Sequence, residues 1–157
     1  PKGPSMSVTE PVPYAILPTV GVMTPLEQET VYFRQVARGN IVLGGSTRGP
    51  SFPDQYRAYV EPQNTVSQLK HIRRLAPSLG RLNISRVWSG IEAYMPDSQP
   101  VMGPSATTSG LYCAFGFSGS GFQIGPGVGE TMAEIIAKGA TDIPTEPYRV
   151  ERFTTQA

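Results

Sequence analysis

The sequence predicts an α+β fold built on a largely antiparallel sheet. Predicted strands come first along the chain, and a helix, a strand, a second strand and a second helix follow them. Parallel sheets need a crossover, usually a helix, between neighbouring strands, and the regular strand–helix alternation that supplies it is missing here. The 157 residues suit one domain, or one domain and part of another, and they contain no internal repeat.

The first half of the chain is predicted to form strands joined by short turns. Residues 13–22 have a strand composition interrupted by Pro18, which favours an edge or bulged strand. Residues 30–37 and 41–45 predict a hairpin, because Arg-Gly-Asn at 38–40 supplies the turn between two apolar runs.

A loop over residues 49–54 leads towards the first predicted helix, residues 62–76. Pro77 ends this helix, because proline cannot continue the hydrogen-bond ladder. Apolar side chains recur at helical spacing and predict a core-facing stripe, made of Val66, Leu69, Ile72 and Leu75 or Ala76.

One long strand, residues 84–95, is predicted after this helix. Successive side chains of a strand point to opposite faces, and one face here carries Trp88, Gly90, Glu92 and Tyr94. Turn-forming residues at 96–98, Pro-Asp-Ser, end the strand.

The most informative segment runs from Leu111 to Ile136. Residues 111–115 predict a short strand, and a glycine- and serine-rich loop over residues 116–121 separates it from a helix that ends near Gly139. A strand, a loop of small residues and a helix start together present free backbone N–H groups and the positive end of a helix dipole. Such a place suits an anion or an electron-rich ring edge.

Small residues recur every four positions along this second helix. Gly121, Gly125, Gly129 and Ala133 share one face, called the glycine ridge below. Each glycine costs a helix about 1 kcal/mol relative to alanine, so the ridge favours close approach of another backbone or a flat ring. A helix packed tightly on a sheet, without a ligand, explains the same spacing, and both interpretations stay open. The other apolar positions predict a core stripe of Ile124, Val128, Met132, Ile135 and Ile136.

The loop does not match the common phosphate-binding motifs. Its letters, GFSGSG, fit G-x-x-G-x-G but not the dinucleotide pattern G-x-G-x-x-G, and no G-K-[ST] follows. As a motif on its own, the loop is therefore only weakly specific.

Composition narrows the possible partners. The 13 basic and 12 acidic residues give a net charge of +1, and no nucleic-acid partner is expected. The chain has one cysteine, Cys113, and one histidine, His71, so neither an internal disulfide nor a cysteine or histidine metal cluster is predicted. No apolar run approaches the roughly 20 residues that a membrane span needs, and no signal peptide is visible. These absences predict a cytoplasmic protein.

Two ordered segments resemble a known enzyme family. Residues 88–104 read WSGIEAYMPDSQPVMGP, and residues 110–136 read GLYCAFGFSGSGFQIGPGVGETMAEII. They resemble the C-terminal part of the FAD-dependent D-amino-acid oxidase and sarcosine oxidase superfamily, and look closest to sarcosine oxidase β, opine oxidase, D-hydroxyproline dehydrogenase and hydrogen cyanide synthase subunits. Residues 8–11 and 31–45 resemble the substrate domain of that family, and residues 147–153 its closing segment.

The resemblance implies a flavoenzyme that oxidises a C–N bond of an amino or imino acid by hydride transfer to FAD. Residues 1–95 would supply strands and a helix of the substrate domain, and residues 96–157 a strand, loop and helix that return to the FAD site. The family's N-terminal Rossmann segment, with its G-x-G-x-x-G motif, has no counterpart in this sequence. The chain is therefore expected to be a C-terminal fragment that is inactive alone, binds no FAD by itself and needs an FAD-binding segment or subunits. A stand-alone binding or assembly module that has lost the FAD-binding half is the alternative.

The resemblance also assigns candidate site residues. The cofactor-binding candidates, which would lie by the pyrimidine edge of the flavin, are Gly116, Phe117, Ser118, Gly119, Ser120, Gly121 and Phe122. The candidates near a substrate cavity are Tyr32, Arg34, Arg48, Glu92 and Tyr94. No catalytic residue is assigned.

Two positions depart from the family pattern. Many relatives carry histidine where this chain has Ser120, and some amino-acid oxidases carry a carboxylate-binding arginine where it has Glu92. The bidentate carboxylate clamp is therefore absent at that position. Glu92 would instead attract an amine or imine nitrogen, or act as a paired carboxylate at the sheet margin; both interpretations stay open. Surface that the missing half would bury is expected to make the isolated chain self-associate.

Overall fold

A computed structural model describes residues 1–153, and the chain divides into two compact units. The first unit is Pro1–Ile91, and the second begins at Glu92. A five-stranded antiparallel sheet, a small two-stranded sheet and a long helix form most of the first unit. Another two-stranded sheet and a longer helix form most of the second. The predicted α+β class with a mostly antiparallel sheet is confirmed. The units divide after residue 91, whereas the sequence interpretation divided the chain after residue 95.

The strands of the described residues are short. In chain order they are β1 (Ser5–Pro11), β2 (Val20–Val22), β3 (Val31–Gln35), β4 (Asn40–Gly45), β5 (Ser51–Phe52), β6 (Arg57–Ala58), β7 (Ile84–Ser89), β8 (Val101–Pro104) and β9 (Tyr112–Phe115). The large sheet has the order β2-β3-β4-β1-β7, and all its neighbours are antiparallel. The predicted hairpin is confirmed as β3 and β4, joined by a turn in which the Val36 N–H donates to the Asn40 carbonyl over 2.9 Å.

The core of the first unit follows from the strand period of two. In β3, Val31 and Phe33 are buried, whereas Tyr32 and Arg34 on the opposite face are exposed. Helix α1 (Pro62–Leu75) contacts β1, β3 and β4. The core cluster consists of Phe33, Ile41, Leu43, Ile72 and Leu79.

The predicted apolar stripe of the first helix is confirmed at Ile72 and at Ala76, which packs against the core cluster, and is wrong at Val66 and Leu75, which are exposed. The buried residues of the helix are Asn64, Gln68 and Ile72, spaced by four, whereas Val66 is 60% exposed. The buried face of α1 is polar because β1 also presents polar side chains in the interior. Those residues are Ser5, Ser7 and Thr9, each at most 1% exposed.

Gln68 joins α1 to two strands of the sheet. Its amide nitrogen donates to the carbonyls of Ser5 and Gly45, both over 3.0 Å. Its amide oxygen accepts a hydrogen bond from the Ser7 hydroxyl over 3.2 Å. A buried amide with these three bonds is satisfied, so this helix docks through polar contacts as well as through Ile72.

Two predicted strands are shorter than expected. Within residues 13–22 only Val20–Val22 is a strand, because Pro13 and Pro18 have no N–H to donate to a ladder. The strand predicted over residues 84–95 ends at Ser89. Ser89 pairs with Ser5, the first residue of β1, so the chain beyond it has no partner strand in this sheet.

The second unit packs α2 (Gly121–Lys138) on one face only. Its core consists of Met102, Met132 and Ile135, with Val128 and Tyr148 packed against them. The predicted core stripe is confirmed at Val128, Met132 and Ile135 and wrong at Ile124 and Ile136, which are 37% and 55% exposed. The helix ends where the sequence predicts, with the Gly139 N–H donating to the Ile135 carbonyl over 3.0 Å.

The closing segment is held to the predicted turn at 96–98. The Arg152 guanidinium donates to the Asp97 carboxylate over 2.7 Å and to the Gln99 carbonyl over 2.8 Å. The hydrogen bond from Arg152, with a second from the Gln99 N–H, holds the pKa of Asp97 below its ordinary value of 3.8. The carboxylate is therefore charged at neutral pH, and the contact is an ion pair there. No helix within residues 1–153 has the length and apolarity to cross a membrane.

Candidate functional site

The loop between β9 and α2 has an unusual backbone. Gly116 has a φ of 71°, Ser118 of 51° and Gly119 of 91°, so three residues of four adopt the left-handed region. A Cβ added at Gly116 would lie 2.5 Å from the Met95 side chain, so both space and backbone conformation require glycine there. The small residues of the predicted loop therefore have a structural cause at this position.

Ser118 fastens the loop to the chain that follows β7. Its hydroxyl accepts from the Met95 N–H over 3.0 Å and donates to the Gly116 carbonyl over 3.1 Å. Its backbone N–H donates to the Ala93 carbonyl over 3.2 Å. Tyr94 and Phe117 add an isolated antiparallel bridge. These contacts stabilise a conformation that a serine rarely adopts, and the sequence analysis did not predict them.

The start of α2 lacks a side-chain cap. Ser120 is the N-cap residue, and its hydroxyl makes no capping hydrogen bond. The N–H groups of Gly121 and Phe122, in the first turn, have no carbonyl partner within the helix. Pro126 in the second turn has no N–H for the Phe122 carbonyl. The Phe122 side chain is fully exposed. The positive end of the helix dipole therefore ends in unpaired backbone donors beside the loop.

The glycine ridge is open along most of its length. Apart from its chain neighbours and the helix's own backbone, a Cβ added at Gly125 or Gly129 would have no heavy atom within 4 Å. At Gly121 the added Cβ would lie 3.2 Å from the Cβ of Phe117. The buried face of α2 is the one with Met132 and Ile135, so the ridge is not the face that this unit packs. The interpretation of the ridge as tight packing without a ligand finds no support in the second unit.

Glu92 and Tyr94 lie together beside the loop. The Tyr94 hydroxyl donates to Oε2 of Glu92 over 2.5 Å. A Cβ added at Gly119 would lie 3.6 Å from that hydroxyl and 3.8 Å from that carboxylate oxygen. Both side chains are half-buried, whereas Gly119 is exposed. The substrate candidates Glu92 and Tyr94 therefore form one group with the loop residues Phe117 and Gly119 within the second unit.

The other substrate candidates belong to the first unit. Tyr32 and Arg34 share the exposed face of β3, and the Tyr32 hydroxyl lies 3.4 Å from Sδ of Met6. A Cβ added at Gly44, the cross-strand neighbour of Tyr32, would lie 2.6 Å from the Tyr32 oxygen, so the ring lies across that glycine. Arg48, which follows β4 in the chain, forms an ion pair with Glu27.

A groove of about 700 Å³ lies along α2 in the second unit. Phe117 and Ser120 of the loop line it, together with Ile124, Val128 and Tyr148. No local sequence pattern predicts this groove, because its lining comes from three separate segments of the chain. No group of histidine, cysteine or acidic side chains in residues 1–153 could hold a metal ion.

Comparison with known proteins places these features in a family. The family profile described as DAO, FAD-dependent oxidoreductase, matches residues 1–135. FAD-dependent oxidoreductase domain-containing protein 1 of Mus musculus is 35% identical over 141 residues, which are 85% of this chain and 28% of that protein. The sarcosine oxidase β subunit of Rhodobacter capsulatus is 29% identical over 149 residues, which are 95% of this chain and 35% of that protein.

A solved structure matches nearly the whole chain. The crystal structure of L-proline dehydrogenase from P. horikoshii has a TM-score of 0.87 and 32% identity, over 99% of this chain and 40% of that one. The chain thus spans between about a quarter and two fifths of the length of these relatives.

Proposed function

The chain belongs to the DAO family of FAD-dependent oxidoreductases, and from this premise we propose that it forms the flavin-edge loop and part of the substrate wall of an enzyme that oxidises a C–N bond of an amino or imino acid. Two of these relatives are named for sarcosine and L-proline, which are secondary amines that carry a carboxylate. The activity of the whole enzyme is part of the proposal, because this chain covers only a portion of such proteins.

One observation carries the proposal: a fixed left-handed loop ends at an uncapped helix start next to an open glycine ridge. The unpaired N–H groups of Gly121 and Phe122 suit a ligand edge that carries negative charge. Gly125 on the next turn leaves space in which a flat ring could approach the helix. The same place therefore offers donors, a positive dipole end and room.

These features suit the isoalloxazine end of FAD and not its pyrophosphate. The isoalloxazine has a polar edge that becomes anionic when the flavin is reduced, and backbone donors with a helix N-terminus stabilise such a charge. FAD would supply the two-electron acceptor for the hydride that leaves the substrate. The loop residues 116–122 would hold that edge. The pyrophosphate needs donors of another kind, since no G-x-G-x-x-G motif occurs in residues 1–157.

The residues of this chain would act by positioning and by charge. Ser118 and Met95 fix the loop, so its donors need no rearrangement when charge develops. Ser120, at the position where the family resemblance implies a histidine, would contribute no ionisable group. The exposed face of β3, with Tyr32 and Arg34, is proposed to line the substrate cavity. Arg48 is paired with Glu27 and would contribute to that cavity as part of the ion pair.

We expect the 157-residue chain to carry no stoichiometric FAD when it is purified alone, because it can contact only part of the cofactor. The same chain joined to an FAD-binding segment of the family should carry FAD and be reduced by a secondary amine such as sarcosine or L-proline. Visible absorption after purification and anaerobic titration measure both. A resolved flavin spectrum in the isolated chain would contradict the first expectation, and a flavin that no amine reduces would contradict the proposed function.

We also expect the isolated chain to associate with copies of itself. The exposed apolar side chains of the second unit include Phe122 and Ile136 on α2, and exposed apolar surface of this kind promotes association. Sedimentation velocity at tens of micromolar should show a dimer or larger species. Replacing Phe122 by serine should shift the distribution towards monomer. A monomeric wild-type chain would contradict association through this apolar surface.

A further inference from the structure

The carboxylate of Glu92 is held next to a site that attracts negative charge. Its Oε2 accepts the Tyr94 hydroxyl over 2.5 Å, and both atoms face Gly119 at 3.6–3.8 Å from the Cβ position of that residue. Gly119 is followed by Ser120 and the donor-rich first turn of α2. A second anion bound at this helix start would repel the carboxylate unless a cation lay between them.

The position of Glu92 is well fixed. Residues 93–95 are fastened to the loop by the Ala93 carbonyl, the Tyr94–Phe117 bridge and the Met95 N–H. Tyr94 orients the carboxylate through its hydroxyl, and both side chains are half-buried. A carboxylate that is partly removed from water and pre-oriented binds a cation more strongly than a free surface glutamate does.

Oxidation of an amine supplies cations at this place. The protonated substrate carries its positive charge on nitrogen. Before the reaction the ammonium loses one proton to water, which frees the lone pair of the nitrogen. The carbon would then give up a hydride, with both electrons of the C–H bond, to the flavin, and the lone pair would become the second bond of C=N. The product is an iminium cation, so a neighbouring carboxylate favours the charge that develops on nitrogen.

We propose that Glu92, oriented by Tyr94, binds the cationic nitrogen of the substrate beside Gly119. This inference rests on the proposed function. It narrows the substrate class to amines that this site recognises by their charged nitrogen and not by a carboxylate. Glu92 is then a specificity-determining residue, and Tyr94 is a positioning residue that acts through it.

Two ligands of nearly equal shape test the proposal. The tert-butylammonium ion has no hydrogen on the carbon that bears nitrogen and cannot be oxidised, and pivalate replaces its ammonium by a carboxylate. Each ion is titrated into the 157-residue chain, and its binding is monitored through the Gly119 amide signal in nuclear magnetic resonance spectra. This measurement needs no flavin. We expect tert-butylammonium to shift the signal at lower concentration than pivalate does.

Substitutions at positions 92 and 94 test whether Glu92 and Tyr94 cause the preference for tert-butylammonium over pivalate. Glu92→Gln should raise the dissociation constant of tert-butylammonium about tenfold or more, because a charge-assisted contact becomes neutral. Glu92→Arg should make pivalate the tighter ligand, and Tyr94→Phe should weaken tert-butylammonium less than Glu92→Gln does. Glu146→Gln, which removes an exposed carboxylate elsewhere in the same unit, is the matched control and should change nothing.

The outcomes separate this inference from the proposed function. A wild-type chain that binds pivalate at least as tightly as tert-butylammonium, or an unchanged constant in Glu92→Gln, would overturn the role of Glu92 whether or not FAD binds. In the FAD-loaded protein, Glu92→Gln should raise the Michaelis constant of an amine substrate and leave FAD content unchanged. Loss of FAD with unaltered amine binding would instead assign Glu92 to structure.

Discussion

Gly125→Val is expected to lower FAD retention in the flavin-loaded protein about tenfold or more, since overpacking costs roughly 1–3 kcal/mol. In the isolated chain the same substitution should cost stability only through the helix itself, because Pro126 follows and disfavours the helical conformation of a residue with a Cβ. Apart from the chain neighbours and the backbone of α2, no atom lies within 4 Å of a Cβ added at position 125. The higher helix propensity of valine, by a few tenths of a kcal/mol, offsets part of the effect of Pro126. The loss of FAD would therefore come from a partner that the chain does not contain.

Three measurements make this prediction sharp. FAD content and the thermal midpoint should be measured for Gly125→Val in the flavin-loaded protein, and the midpoint also in the isolated chain. Gly127→Ala, on the same helix but outside the glycine ridge, is the control and should retain FAD. Gly121→Val should disturb both forms, because its Cβ would lie 3.2 Å from Phe117. A full FAD complement in Gly125→Val would contradict the role of the ridge at the flavin.

Gln68→Leu should destabilise the first unit by about 3 kcal/mol or more, because it removes the partners of several buried polar groups at once. The carbonyls of Ser5 and Gly45 would lose a donor, and the Ser7 hydroxyl would lose its acceptor. Leucine has a similar volume, so lost packing is not the main term. The thermal midpoint should fall by roughly 6–12 °C for a chain of this size.

A matched control exists on the same helix. Gln63 is exposed, and Gln63→Leu should change the free energy of unfolding by no more than about 0.5 kcal/mol. Urea unfolding followed by circular dichroism gives both values. If the two leucine variants were equally stable, the hydrogen bonds of Gln68 would contribute little, and the docking of α1 would rest on Ile72 and its apolar neighbours.

Local patterns in the sequence predict the elements that local physics determines. The β3–β4 hairpin follows from its turn residues, and the end of α2 follows from Gly139, which caps it. The glycine-rich loop between strand and helix is predicted for the same reason, because φ values above zero at Gly116 and Gly119 demand small residues.

Features that depend on distant segments escape prediction. The buried face of α1 is polar because β1, some 60 residues earlier, presents Ser5 and Ser7 to Gln68. β7 stops at Ser89 because its partner strand begins at Ser5. No periodicity within α1 or β7 carries this information, so an apolar stripe and a longer strand were the local expectations.

The candidate site shows the same division. The loop residues 116–122 are found from the sequence and the family resemblance, and the pairing of Glu92 with Tyr94 is compatible with their spacing. The fastening of the loop by Met95 and Ser118 and the ion pair of Arg48 with Glu27 join residues about 20 positions apart. Only the folded chain brings these groups together.

Contact of the loop and the start of α2 with the flavin is tested most directly by hydrogen exchange. Exchange should be compared between the FAD-loaded protein and the same protein after FAD removal. Peptides that cover residues 116–125 should exchange more slowly with FAD bound, whereas peptides from α1, residues 62–75, should not change. Equal exchange of residues 116–125 in both forms would contradict this contact.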